Sequence, residues 1–187
     1  MRLSYIPYLP NELEFAQKTK ESILEHNPNM EVILINTETF LNINKSKKTC
    51  WGFINKVIPD YINKNIQTGF YWVESGVKIT RNFDDWIQEY APDKPQDRIY
   101  WMGFCKLLSN YRVGCKVVYF PDKIIKNFFI NDIPLIHLDR LLQKKQFNAI
   151  TSSTIKKGNS IIDNGGVFKL FKKPSNYGTK HSKYLYE

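Results

Sequence analysis

The chain has 187 residues, 42% hydrophobic and 14% aromatic, which suits one ordinary domain with a real core and argues against disorder over most of its length. Its formal net charge is +9, no apolar run approaches the roughly 18 residues of a membrane span, and the start MRLSYIPYLPNELEF lacks a signal-peptide core. Three cysteines (Cys50, Cys105, Cys115) form no CxxC and have no histidine cluster, which argues against a zinc module, so a soluble cytoplasmic protein with free thiols is expected.

In chain order, SYIPYLP (4–10) predicts an opening strand that stops at Pro7 or Pro10. NELEFAQKTKESILEH (11–26) predicts a helix with Asn11 as N-cap and Glu14 three residues on, ended by Asn27-Pro28-Asn29. MEVILIN (30–36) packs β-branched residues into a short run bounded by turn signals, the pattern of a buried strand. Residues 51–63 read as helix with Pro59 at an end or kink. GFYWVESGVKI (69–79) reads as a strand broken at Glu74-Ser75-Gly76. NFDDWIQEYA (82–91) reads as a helix capped by Asn82, with Asp84 and Asp85 in its first turn, where carboxylates favour the helix dipole.

RIYWMGFCKLL (98–108) fits a strand or a buried helix equally. CKVVYF (115–120) is a predicted strand, and IPLIHLDRLLQKK (133–145) an amphipathic helix. FNAITSS (147–153) and GVFKLFK (166–172) are the last predicted strands. Strands alternating with helices predict one α/β domain over residues 1–172, with a mainly parallel central sheet flanked by helices, and a basic tail over 173–187.

The charge is unevenly placed. From Lys123 onward 12 Lys/Arg face four acids (Asp132, Asp139, Asp163, Glu187), whereas the first 122 residues carry 15 basic and 14 acidic residues. A basic C-terminal third fits a polyanionic partner, nucleic acid or a diphosphate, and equally a lysine-rich solvated face.

Chemistry is expected where strands end. Glu74 follows FYWV and Asp122 follows VVYFP, and acids at adjacent strand ends can share a divalent cation. The alternatives are a solvated loop acid for Glu74 and a Pro-Asp turn for Asp122. Asn164, Gly165 and Gly166 precede a strand, where a close backbone approach and an amide suit a sugar or phosphate, or a plain hairpin turn. Lys180 and His181, in YGTKHSKYLY, read either as phosphate ligands or as a solvated tail. The aromatics Tyr71, Trp72, Tyr100 and Trp101 can stack on a sugar or base, or fill the core. No P-loop or GxGxxG is present.

Three segments in order carry a resemblance. KESILEHNPNMEVILIN (20–36), KVVYFPDKII (116–125) and IDNGGVFKLF (162–171) resemble segments of the metal-dependent nucleotide-sugar glycosyltransferases with the Rossmann-like GT-A fold, in particular the retaining group related to glycogenin. That family's strand reads Lys-Val-Ile-Tyr-Leu-Asp-x-Asp-Ile-Ile. Here Pro121 and Lys123 stand in place of its two aspartates, and Asp122 fills the variable position between them. The resemblance implies transfer of a sugar from a nucleotide-sugar donor, with Mn or Mg in the family. For this chain it implies Asp122 and Glu74 as the acidic groups, Asp122 as the remaining metal ligand, and Lys123, Asn164, Gly165, Gly166, Lys180 and His181 as donor-binding groups. With a lysine at the metal position, three outcomes stay open: a metal-free site using Lys123, a binding protein that has lost catalysis, or an acidic motif located instead at residues 72–76. A nucleic-acid-binding protein using the basic third is a separate alternative.

Overall fold

The computed structural model describes residues 2–39, 42–43, 45–94, 96–102, 116–128, 149–151 and 166–171. The predicted helix at 133–145 and most of the basic C-terminal third lie outside these residues.

Strand β1 (Arg2–Tyr8) buries Leu3, Ser4, Tyr5 and Ile6 completely, as a strand covered on both faces must. It continues through Pro7 because β3 (Phe70–Val73) pairs with β1 only at Leu3, Ser4 and Tyr5. Pro7 is thus paired on one side only, opposite Ile35. A 3-10 turn (Pro10–Glu12) leads into α1 (Leu13–His26), so Asn11 lies inside the turn and does not cap the helix. Asn27 ends α1: its N–H donates to the Ile23 carbonyl at 2.7 Å, and its Oδ1 accepts the Phe83 N–H at 2.9 Å.

After β2 (Met30–Asn36), the predicted helix at 51–63 forms as three joined pieces: α2 (Lys45–Gly52), a π-helical turn (Phe53–Val57) and α3 (Ile58–Asn63). GFYWVESGVKI divides as anticipated at Glu74-Ser75-Gly76, but its halves join different sheets: β3, and β4 (Val77–Ile79). Helix α4 (Phe83–Tyr90) is capped as its sequence predicts, with the Asn82 side chain accepting the Asp84 N–H at 2.7 Å. The undecided segment at 98 is a strand, β5 (Ile99–Trp101), followed by β6 (Val117–Phe120), α5 (Asp122–Phe128), β7 (Ala149–Thr151) and β8 (Phe168–Leu170).

The main sheet has the order β2-β1-β3-β6-β5-β7, and β4 and β8 form a second, antiparallel sheet. In the main sheet β1, β2, β3, β5 and β7 run one way and β6 runs against them. The sheet is thus mainly parallel and flanked by helices. On one face Leu3, Tyr5, Phe70, Trp72, Val118 and Phe120 pack against Phe53, Val57 and Tyr61 of the α2–α3 segment. On the other, Ile6, Tyr71, Val73 and Val117 pack against α1 and α4. Alternation along each strand sends neighbouring residues to opposite cores.

Helix α1 also covers β4. Thr19 Oγ1 accepts the Gly76 N–H at 3.1 Å and Ser22 Oγ accepts the Ile79 N–H at 3.0 Å, so two buried hydroxyls satisfy the strand's unpaired donors. No helix among the described residues is long and apolar enough to cross a membrane.

Candidate functional site

The chain passes from β1 outward to β2, then crosses back to lay β3 on the other flank of β1. Such a reversal opens a crevice at the carboxyl ends of the two strands, where open α/β sheets hold ligands. Polar groups converge there. Glu74, just past β3, donates its N–H to the Lys116 carbonyl at 2.9 Å, and its carboxylate pairs with the Lys116 ammonium. The next residue, Ser75, donates its hydroxyl to Glu12 Oε2 at 3.4 Å, and that same oxygen accepts the Leu9 N–H at 3.4 Å. Glu12 is 9% exposed, a carboxylate drawn into the protein by the turn that leaves β1.

The end of β2 closes one side. Thr37 donates both its N–H (2.9 Å) and its hydroxyl (3.1 Å) to the Tyr8 carbonyl. A Cβ on Gly52 would lie 2.4 Å from Thr37 Cγ2, so only glycine lets the end of α2 approach this closely. Lys56 sits 5.4 Å from the Trp51 ring centroid and donates to the Asn36 carbonyl. The edge thus offers two carboxylates (Glu12, Glu74), two ammoniums (Lys116, Lys56) and two hydroxyls (Ser75, Thr37) within one short stretch of strand ends.

Asp122 is elsewhere. Because β6 is antiparallel, Phe120 lies opposite Phe70 and Val117 opposite Val73. Glu74 and Asp122 therefore sit at opposite ends of adjacent strands, more than about 10 Å apart at 3.4 Å per residue. The expectation that they share one cation is overturned by that strand direction. Asp122 is the first residue of α5 and its carboxylate is engaged: Oδ1 accepts from the Tyr61 hydroxyl at 2.8 Å, and Oδ2 pairs with Lys126 at 2.8 Å. Lys123 follows it as an exposed side chain at the same edge. Gly166 adopts φ +70 and accepts the Thr80 hydroxyl at 2.8 Å beside β8. Asn164, Gly165, Lys180 and His181 lie outside the described residues. Tyr71, Trp72 and Tyr100 are core residues at 2%, 0% and 1% exposure.

Sequence reasoning assigned no role to Glu12, Ser75 or Lys116. The usable signal was the polar run Glu74-Ser75-Gly76 after four buried residues, with Pro10-Asn11-Glu12 directly after a strand. Among the described residues no three His, Cys, Asp or Glu side chains come together. A divalent cation takes about six oxygen ligands, and the one carboxylate at the end of β3 already holds an ammonium. The described residues at this edge do not assemble the oxygen ligands of a divalent-cation site.

No family model matches the chain, and no curated protein sequence matches it. Among solved structures, it is similar at 14% identity and a TM-score of 0.48 to a glycosyltransferase involved in the glycosylation of the major capsid of PBCV-1. It is also similar at 10% identity and a TM-score of 0.44 to the apo-form glycosyltransferase GlyE of Streptococcus pneumoniae TIGR4. The matches cover 67% and 79% of this chain, which spans 63% and 44% of the respective structures.

Proposed function

We propose that this chain is a glycosyltransferase-like domain that binds a nucleotide-sugar in the crevice between β1 and β3. The observation that carries the reading is the Glu74–Lys116 pair at the end of β3, beside the Glu12–Ser75 contact. In sugar transfer the bond from the anomeric carbon to the diphosphate oxygen breaks, a bond to the acceptor oxygen forms, and the acceptor's proton passes to the departing diphosphate. Negative charge grows on the departing diphosphate, and a fixed cation aimed at it lowers the barrier. Lys116 supplies that cation. Its ammonium has three donors, so it can hold Glu74 and a phosphate oxygen together. Glu12 and Glu74 accept hydrogen bonds from sugar hydroxyls, and Ser75 offers a hydroxyl of its own.

The test is calorimetric titration of the full chain with a panel of nucleotide-diphosphate sugars, with and without manganese. At least one donor is expected to bind. Binding should be lost in Lys116→Ala and kept in Lys123→Ala, whose side chain lies at the other edge. Silence across the whole panel overturns the reading, and loss in Lys123→Ala alone overturns the placement.

A further inference from the structure

The amino-terminal edge of the same sheet carries a second feature that the donor site does not use. A groove of about 360 Å³ opens there, its lining including Arg2, Gln67, Tyr71, Asp84, Lys94, Gln96 and Tyr119. That volume lies at the small end of the range for ligand sites, which runs from about 300 Å³ upward. Tyr71 is 2% exposed, with one ring face stacked on Phe83 at 4.4 Å between centroids and the ring packed on Tyr119 at 4.7 Å. Its hydroxyl has no hydrogen-bond partner among the described residues. Nor is that hydroxyl sealed in, since the buried unpartnered side-chain atoms there are Ser4 Oγ, Trp72 Nε1 and Trp86 Nε1. An almost wholly buried side chain therefore presents a single unused polar atom to the groove.

The chemistry of the lining narrows the ligand. The ring of Tyr71 is packed against Phe83 and Tyr119, so Tyr71 meets a ligand through its hydroxyl and not through an open ring face. Arg2 is ion-paired with Asp84 and Lys94 adds one further cation to the lining, so inorganic phosphate is the competing ligand. A guanidinium–carboxylate pair, two primary amides and a phenol supply donors and acceptors in mixture, which matches the vicinal hydroxyls of a sugar ring. Burial holds the Tyr71 phenol well above its ordinary pKa, so it remains a neutral donor at every physiological pH.

We propose that this groove is a saccharide-binding subsite, in which the Tyr71 hydroxyl, the Arg2–Asp84 pair and the amides of Gln67 and Gln96 hold one sugar unit. It lies at the edge opposite the crevice between β1 and β3 and does not depend on the donor reading. Its use would be to anchor a glycan away from the reacting end.

Saturation-transfer NMR on the full chain, with methyl glycosides of glucose, galactose, mannose and N-acetylglucosamine, tests it. At least one glycoside is expected to bind with Kd of about 1 mM. Tyr71→Phe should raise that Kd about 5- to 10-fold, the loss of one buried hydrogen bond. Lys116→Ala, at the donor edge, should leave it unchanged. Absence of binding by all four glycosides overturns the proposal, as does binding of inorganic phosphate at this groove in their place. Undiminished binding in Tyr71→Phe also overturns it. If that variant does not fold, the exposed Gln96→Ala decides the same question by the same criterion.

Discussion

Tyr61 donates its hydroxyl to Asp122 Oδ1 at 2.8 Å and accepts the Gly69 N–H at 3.0 Å, so one side chain of α3 ties the start of α5 to the turn before β3. Tyr61 is 1% exposed, and removing its hydroxyl strands the buried Gly69 N–H and leaves Asp122 held by Lys126 alone. Tyr61→Phe is predicted to cost about 1–3 kcal/mol in urea unfolding, the range for leaving a buried polar group unpaired. A loss below about 0.5 kcal/mol, within the noise of ordinary surface changes, would show that water replaces the hydroxyl.

Gly69 has φ +76, and a Cβ there would lie 2.3 Å from the Phe120 carbonyl oxygen and 3.0 Å from Pro121 Cα. Both obstacles are backbone, which cannot rotate aside. Gly69→Ala should therefore destabilise by more than the roughly 1–2 kcal/mol of a left-handed residue alone. Gly166, with φ +70 and nothing within 4 Å of its Cβ position, provides the comparison. Gly166→Ala should cost only that conformational term, and the difference between the two variants measures the clash.

Alkaline pH acts through the tyrosines of the sheet. Burial pushes Tyr100 and Tyr119 each up to about 12, against an ordinary phenol near 10. A group whose folded pKa is raised stabilises fully below its unfolded pKa and loses that contribution as pH rises through the folded one. Unfolding free energy should therefore be level in these terms below about pH 10 and fall from about 10 to 12. Urea melts across that range, read beside tyrosinate absorbance, check it. Stability that rises above pH 10 would reverse the sign.

Lys116 and Glu74 are 34% and 27% exposed at their side chains. Pairs that reach solvent this far contribute about 0–1 kcal/mol. Lys116→Ala should hence keep its thermal midpoint within a few degrees of wild type, and a loss of donor binding in that variant reads on a folded protein.

Much of this architecture was legible in residue order. Asn82 before Phe83-Asp84-Asp85, and the β-branched run of MEVILIN, state their own local structure, and that is what composition and period encode. Strand direction was not legible. KVVYFPDKII looks the same whether β6 runs with or against β3, yet the choice decides which end of the sheet receives Asp122. Likewise Asn11 has the residue type of an N-cap, but Pro10 starts a 3-10 turn one residue ahead and hands the Leu9 N–H to Glu12. The crevice residues come from three segments far apart in sequence, and only the β1-β3-β6 order brings them to one edge.

The reversed strand has a further consequence, for the ribosome. β6 is hydrogen-bonded between β3 and β5, both of which precede it in the chain. While β6 is still inside the exit tunnel, β3 and β5 each present an unpatched edge rich in aromatic residues, open to pairing with a neighbouring nascent chain. Synthesis must run well past Phe120, until β6 has left the tunnel, before those edges meet a common partner, so their exposure outlasts the making of β6 itself.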